Sequence, residues 1–335
     1  MTRRILSLGA TVVLAAAGAA AQAPAARVVR PNAVIHSVAD LDRSIAFYRD
    51  AVGLTPDPSP DFPSGSSREL GVLTRAPGAT LRAATLRVPG GDVRLTLVQF
   101  SGVDARPVHQ RLQDPGSVKL VLRVKDMDAA FARVRDRVAA IYTEGGAPIR
   151  PEGPAAVNRA VIMRDPDGYP LEFAFQGGPV SADVPASSIV IGGWATFIVN
   201  DVAATLGFYR DRLGFQPTGA PSTLAPAVLS LQGAPTATGS MSAGVKPPGA
   251  AATWRMYDFR NVERAPLAGR LQDPGTPAVS FLVENVQGLL ATLRAAGVTV
   301  DTEGGEAVNV GGTLRAFIRD PNGLLIELVE ERDRR

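Results

Sequence analysis

The chain consists of two similar halves, and this duplication limits its possible folds more than any other feature of the sequence. Four short segments of the first half recur in the same order in the second half, each about 160 residues later. One of them is Arg-Leu-Gln-Asp-Pro-Gly, at residues 111–116 and again at 270–275. The matched order predicts two copies of one domain, joined by the Gly-, Pro- and Ser-rich linker 177–188. The 335 residues are enough for two domains of ordinary size.

Each half contains a second, weaker repeat. A short apolar strand leads into an Asp or Asn that can cap a helix, at Asp40, Asp126, Asp201 and Asn285. An amphipathic helix follows each cap, and stretches with strand character follow the helix. Asp-Pro-Asp-Gly and Asp-Pro-Asn-Gly predict hairpin turns, because Pro presets φ and Gly accepts a positive φ. The unit is therefore βαβββ, four times over, and the predicted fold class is α+β.

The first residues are typical of a secretory signal peptide. Two arginines precede an uncharged apolar run and then a small-residue stretch that fits cleavage after Ala21. A membrane anchor is the alternative, but the run is short for a bilayer span, which needs about 20 residues. We therefore assign residues 1–21 to a signal peptide and 22–29 to an N-terminal tail. The mature protein is expected in the periplasm or outside the cell, with no membrane attachment.

Composition excludes several classes of function. The chain has no cysteine, which excludes a disulfide framework, a Cys-ligated metal and a Cys nucleophile. It has two histidines, which excludes any site that needs three. A formal charge of +3 on a chain of this length gives no reason to expect a nucleic-acid partner.

The βαβββ unit resembles the vicinal oxygen chelate superfamily, which includes glyoxalase I, bleomycin-resistance proteins and extradiol dioxygenases. The resemblance is carried by the strand–Asp–helix order with Phe-Tyr-Arg-Asp, and by the ending Asp-Pro-x-Gly-x-x-x-Glu at 165–172 and 320–327. It covers nearly the whole mature chain. It implies four modules in two tandem domains, 30–176 and 189–332, each a cupped mixed β-sheet with helices on the outside.

The resemblance also implies where a metal would bind. In metal-dependent members, ligands come from four positions lining the cup: two usually His, seven residues before the helix cap, and two mostly carboxylates on the last strands. Here only Glu172 and Glu327 retain a ligand type. A single carboxylate does not hold Zn²⁺, Fe²⁺ or Mn²⁺ tightly, so we predict no metal and no cofactor. The positions mapped in this way are Ala33, Thr96, Lys119, Glu172, Trp194, Arg255, Ala278 and Glu327.

Neither histidine falls at a mapped position. Strand alternation places His36 with Val34 and Val38 on the face towards the helices, away from the cup. We therefore expect His36 to be a hydrogen-bonded histidine at the edge of the core. His109 lies in a segment that reads as a loop, and we expect it to be solvated.

Basic residues stand at other mapped positions and are predicted to pair with the two glutamates. Lys119 would face Glu172 in the first domain, and Arg255 would face Glu327 in the second, because a buried carboxylate without a metal needs a cation or several donors. Two interpretations remain open: structural ion pairs left from decayed metal sites, or pairs that line a ligand cavity with aromatic walls. The ligand-binding candidates are Thr96, Lys119, Glu172, Trp194, Arg255, Tyr257 and Glu327.

Two long segments complete the predictions about the cups. Residues 56–67, with four prolines, and residues 233–252, rich in Gly, Ala and Thr, are predicted to be loops. Loops of this length either cover a cavity or are disordered.

Two functions of different class are consistent with this sequence. The first is an exported, metal-free protein of the bleomycin-resistance type that binds a small molecule in a cup. The alternative is a glyoxalase-like enzyme (lyase, isomerase or dioxygenase) acting on a carbonyl or aromatic substrate. There Glu172 or Glu327 would be the general base or a residual metal ligand, with Lys119 or Arg255 stabilising an oxyanion. The expected partner is a small molecule, and the expected assembly is a monomer with an internal pseudo-dimer or a weak homo-oligomer.

Overall fold

The computed structural model describes residues 25–151 and 158–331. The predicted signal peptide, residues 1–21, lies outside the described residues. Among the helices of the described ranges, none has the length and apolar character that crossing a bilayer requires.

Four βαβββ modules follow one another along the chain, and the α+β class is confirmed. The first module comprises β1 (Arg27–Ser37), α1 (Leu41–Ala46) continuing as a π turn (Phe47–Val52), β2 (Thr55–Pro56), α2 (Arg68–Thr74), β3 (Thr80–Arg87) and β4 (Arg94–Ser101). The second comprises β5 (Val118–Val124), α3 (Met127–Val134), β6 (Ala140–Ile141), a 3₁₀ turn (Glu144–Gly146), β7 (Arg159–Arg164) and β8 (Pro170–Phe175).

The second half repeats this order with two differences: one short strand is added before the second helix of its first module, and the short strand of its second module follows the 3₁₀ turn, whereas β6 precedes it. The third module comprises β9 (Val190–Ile198), α4 (Val202–Leu213), β10 (Gln216–Pro217), β11 (Ser222–Thr223), α5 (Pro226–Leu231), β12 (Met241–Lys246) and β13 (Trp254–Asp258). The fourth comprises β14 (Pro277–Glu284), α6 (Val286–Ala295), a 3₁₀ turn (Glu303–Gly305), β15 (Val308–Val310), β16 (Thr313–Arg319) and β17 (Leu325–Glu330).

The first helix of each module begins at the predicted capping residue. The side chains of Asp40, Asp126, Asp201 and Asn285 each accept a hydrogen bond from the backbone N–H three residues later, at 2.8–3.0 Å. Each cap satisfies one of the N–H groups that have no partner inside the helix. The end of every first strand is therefore set by local sequence.

The strands form the two predicted cupped sheets, and each sheet combines modules from both halves of the chain. The first sheet has the order β15-β16-β17-β14-β1-β4-β3-β2, so it joins the first and fourth modules. The second has the order β10-β12-β13-β9-β5-β8-β7-β6, with β11 beside β12, and joins the second and third modules. The modules meet through antiparallel pairs, β1 with β14 and β5 with β9. Each cup is therefore shared between the two sequence repeats.

The convex faces of both sheets and the helices enclose one large apolar core. Val34 on β1 and Val38 directly after it belong to this core, whereas Ile35 belongs to a separate cluster in the cup. His36 is fully buried and lies on the core side, as strand alternation predicts. Alternation of this kind on every strand decides which side chains can reach a ligand in a cup.

The two copies of Arg-Leu-Gln-Asp-Pro-Gly form turns before β5 and β14 and hold the two halves together. Arg111 donates to both carboxylate oxygens of Asp114 at 2.8 Å, and Arg270 donates to both oxygens of Asp273 at 2.7 and 3.0 Å. Nε2 of Gln110 also donates to the carbonyl oxygen of residue 275 in the other copy at 2.7 Å. These turns place the strands that carry the cup residues.

Candidate functional site

The cup of the first sheet, called the closed cup below, is filled by the chain itself. Helix α2 and the proline-rich segment before it lie across the concave face, where Phe62, Leu70 and Leu73 are buried against Phe317. The Phe62 and Phe317 rings lie 6.3 Å apart. The predicted loop 56–67 therefore covers this cup.

Glu327 lies in the closed cup with all its main contacts made by protein groups. Nη1 of Arg315 donates to Oε1 at 2.7 Å, and the hydroxyl of Ser280 donates to Oε2 at 2.6 Å. The predicted pairing with Arg255 is wrong, because Arg255 lies on β13 of the second sheet. Thr96 lies on the first sheet too, with its hydroxyl 3.0 Å from that of Thr85.

Asp61, in the segment that covers the closed cup, is expected to make stability depend on pH. Its carboxylate lies 2.8 Å from Arg94, but burial, supported by the nearby carboxylates of Asp57 and Glu327, raises its pKa to about 6. The unfolded value is about 3.9, so the folded state binds more protons between these values. The free energy of unfolding should therefore fall as pH rises from about 4 to about 6. In urea denaturation across this range, the free energy of unfolding should decline less in Asp61→Asn than in the unaltered protein. An equal decline in both proteins would show that Asp61 is not the group responsible.

The cup of the second sheet, called the open cup below, contains a pocket of about 650 Å³. On β13, Trp254 and Met256 belong to the core, while Arg255 and Tyr257 face the pocket. Five of the seven ligand-binding candidates meet at this cup, although they come from both sequence repeats. They are Lys119, Glu172, Trp194, Arg255 and Tyr257.

The predicted ion pair between Lys119 and Glu172 is present beside this pocket. Nζ of Lys119 lies 2.5 Å from Oε2 of Glu172 and donates to Oε1 of Gln232 at 2.8 Å. The same ammonium lies 5.7 Å from the centre of the Tyr257 ring. Burial lowers the pKa of Lys119, and the Glu172 carboxylate opposes that effect. Burial, and then the Glu172 charge, raise the pKa of Tyr257 to about 12, so its phenol is neutral at pH 7.

Arg255 and Arg123 both line the pocket without a carboxylate partner among the described residues, but Arg123 donates to two backbone carbonyl oxygens. The guanidinium of Arg255 makes no hydrogen bond or ion pair with another residue of the described ranges, although its backbone pairs with strands on both sides. Thr196 on β9 pairs with Lys119 on one side and with Arg255 on the other. One strand therefore separates the two cations, which puts their backbones about 10 Å apart.

Part of the pocket wall comes from a segment that was predicted to be a loop. Residues 233–252 are not one loop, because β12 (Met241–Lys246) lies within them and adds a strand to the sheet. The preceding helix α5 lies over the pocket and is followed at its C-terminus by Gln232, the partner of Lys119. No motif marks Gln232. Arg315 was also missed, although its place on the strand next to Glu327 offered a signal.

Two glycines, Gly193 of β9 and Gly91 of the first sheet, let the two sheets approach each other closely beside the pocket. A Cβ at Gly193 would lie 3.2 Å from the Val88 side chain of the first sheet, and 2.8 Å from the carbonyl oxygen of Val121 on the neighbouring strand β5. Gly91, in the turn between β3 and β4, packs against the same backbone. Both residues line the pocket, so contact between the two sheets shapes one of its ends.

His36 belongs to a buried polar cluster, which includes three possible metal-ligating atoms within 4.8 Å of one another, from His36, Asp165 and Asp167. Protein donors already occupy both carboxylates, whereas Nδ1 of His36 has no hydrogen-bond partner among the described residues. Asp165 Oδ2 lies 2.9 Å from His36 Nε2 and accepts from the Tyr48 hydroxyl at 2.8 Å, while Asp167 accepts from Arg43 at 2.6 Å. The contacts favour a structural role in joining the two sheets.

The positions at which the resemblance predicts metal ligands do not fit a divalent cation in either cup. The open cup places one carboxylate, Glu172, among Lys119, Arg255 and Trp194. The closed cup places Glu327 among Ala33, Thr96 and Ala278. Divalent transition metals need three or four oxygen, nitrogen or sulfur ligands, and two neighbouring cations oppose their binding.

Comparisons with known proteins agree with this architecture. The family model described as Glyoxalase/Bleomycin resistance protein/Dioxygenase superfamily matches residues 30–173 and 193–328. Glyoxalase I from Zea mays is 15% identical, with 92% of this chain and 93% of that chain covered and a TM-score of 0.57. A putative dioxygenase from Bacillus subtilis is 13% identical, with 91% and 86% covered and a TM-score of 0.58. No protein of curated function matches the sequence. Identities this low establish a common fold alone.

Proposed function

Because the chain belongs to the Glyoxalase/Bleomycin resistance protein/Dioxygenase superfamily, we propose that it is an exported, metal-free member that binds a small molecule in the open cup. The contrast between the two cups carries this proposal. The closed cup is filled by Phe62 and α2, whereas the other keeps a pocket of about 650 Å³ with Trp194 and Tyr257 in its walls. Concave sites with aromatic walls and a few polar groups are typical of small-molecule binding.

Export rests on the N-terminal sequence. An uncharged apolar run follows two arginines, and small residues lead to Ala21. The mature chain would begin at Gln22 and reach the periplasm or the medium.

The contacts of Lys119 support binding more than catalysis. Its ammonium donates to Glu172 and Gln232 and faces the ring of Tyr257, so little capacity is left for a developing oxyanion. Oε2 of Glu172 is correspondingly occupied by the Lys119 ammonium at 2.5 Å. A glyoxalase-like enzyme using this glutamate would first have to open the ion pair.

Trp194 provides the test of the proposed function. It is one of two tryptophans, and the other, Trp254, is fully buried on the core side. We expect a library of small apolar and aromatic molecules to include ligands that change the tryptophan emission and raise the melting temperature. The emission change should disappear in Trp194→Phe while Trp254 still reports on the fold.

Two results would contradict the proposal. One is a library that leaves both the emission and the melting temperature unchanged. The other is an emission change that persists in Trp194→Phe, because it would place the ligand outside the open cup.

A further inference from the structure

The open cup is not electrostatically balanced. Lys119 and Glu172 neutralise each other at 2.5 Å. Asp92 and Arg123, of opposite charge, both line the pocket. No further carboxylate among the pocket residues offsets the charge of Arg255. The charged groups in and beside the pocket therefore sum to one excess positive charge.

The contacts of the two pocket arginines differ. Nη2 of Arg123 donates to the carbonyl oxygens of Gly178 and Pro179 at 3.1 and 2.8 Å. Arg255 has no such bonds within the described ranges, although it is half-buried on the concave face between Thr196 and residue 244. A guanidinium stays charged at every physiological pH and pairs bidentately with carboxylates. Leaving it partly desolvated without an anion is costly, which is a reason to expect one from a ligand.

The rest of the wall is apolar or neutral. Trp194 and Tyr257 offer aromatic faces, and Leu224, Val228 and Leu231 add aliphatic surface. The phenol of Tyr257 carries no charge at pH 7. A ligand that fits this wall has one acidic group and an apolar or aromatic body.

We propose that the open cup selects small carboxylates with an apolar body, and that Arg255 binds the carboxylate. This inference rests on the proposed function and specifies its class of ligand. The aromatic walls hold the body of the ligand, and the Lys119–Glu172 pair stays intact beneath it.

Acid and amide pairs test this selection directly. The probes are benzoate and benzamide, indole-3-acetate and indole-3-acetamide, and decanoate and decanamide, each titrated by thermal shift and calorimetry. Within at least one pair we expect the acid to bind about tenfold or more tightly than the amide, because the amide lacks the charge-assisted pair. Arg255→Gln should remove this preference, and Arg255→Lys should keep part of it. Arg212→Gln, the same change on the exposed end of α4, should leave it intact.

The outcomes separate the two proposals. If amides bind as tightly as acids, the cup binds small molecules but the inference about charge is wrong. If the acid preference survives Arg255→Gln, the acid is recognised elsewhere and the inference is again wrong. If no acid or amide binds and the wider library also fails, both the proposed function and this inference are overturned.

Discussion

Replacing Lys119 by Met is expected to lower the free energy of unfolding by about 3–5 kcal/mol. The substitution leaves Glu172, only 6% exposed, without its cation inside the protein. It also removes the donor to Gln232. Urea denaturation at pH 7 measures the loss.

A double variant separates charge from packing. In Lys119→Met with Glu172→Gln no uncompensated charge remains, so most of the lost stability should return, since a neutral pair of similar volume often replaces a buried ion pair at little cost. Arg49→Met is the matched surface control, because its pair with Asp50 is exposed and is expected to matter little. A Lys119→Met protein as stable as this control would show that Glu172 does not depend on Lys119.

Replacing Asp165 by Asn is expected to lower the free energy of unfolding by about 3 kcal/mol. The carboxylate accepts hydrogen bonds from the Tyr48 hydroxyl and the Tyr169 N–H at 2.8 Å each, and lies 2.9 Å from His36 Nε2. An amide keeps the shape but puts an NH₂ where an acceptor is needed. Because Asp165 belongs to the second sheet and His36 to the first, the loss loosens their contact.

The same carboxylate predicts a pH dependence. Burial alone would raise the pKa of Asp165, but His36 and the hydrogen bonds from Tyr169 and Tyr48 outweigh it and hold the pKa below its ordinary value. Its stabilising contribution is therefore complete above about pH 4 and is lost as pH falls through the lower folded value. Between pH 5 and pH 2, the free energy of unfolding of Asp165→Asn should therefore fall less than that of the unaltered protein.

The other half of the chain supplies a control with the opposite sign. Asp320 occupies the equivalent turn, but Phe197 stands where His36 stands, and burial raises the pKa of Asp320. Asp320→Asn should therefore cost less than Asp165→Asn, and it should not reduce the acid loss. Equal effects of both substitutions would contradict the role given to His36.

The sequence was informative wherever the relevant residues lie within one module. Each helix cap bonds three residues along the chain, so its pattern is local. Lys119 and Glu172 lie on neighbouring parallel strands of a single βαβββ unit, and their pairing could be predicted. Strand alternation likewise placed His36 on the core side.

Contacts between modules could not be predicted in the same way. The apolar edge of β1 suits β5 as well as β14, and no local pattern distinguishes the two. Because β1 pairs with β14 and β5 pairs with β9, Arg255 lies in the same cup as Glu172, and Glu327 pairs with Arg315. The filling of the closed cup could not be predicted either, because it depends on contact between Phe62 of the first module and Phe317 of the fourth.

The exchange of modules between the sheets has a consequence for the order in which the chain acquires its structure. In the second sheet β5 and β9 come from adjacent modules, with residues 125–189 between them, so their pairing closes a much shorter stretch of chain than the pairing of β1 with β14. In the first sheet, Asn32 on β1 reaches Ser280 on β14, 248 residues later. On a growing chain the inner modules can assemble while β1 still lacks a neighbour on one side, and the closed cup forms last. Pairings this distant in sequence slow folding and leave a strand edge exposed to aggregation. If synthesis is interrupted or the chain is released early, the N-terminal module is therefore the part most exposed to aggregation.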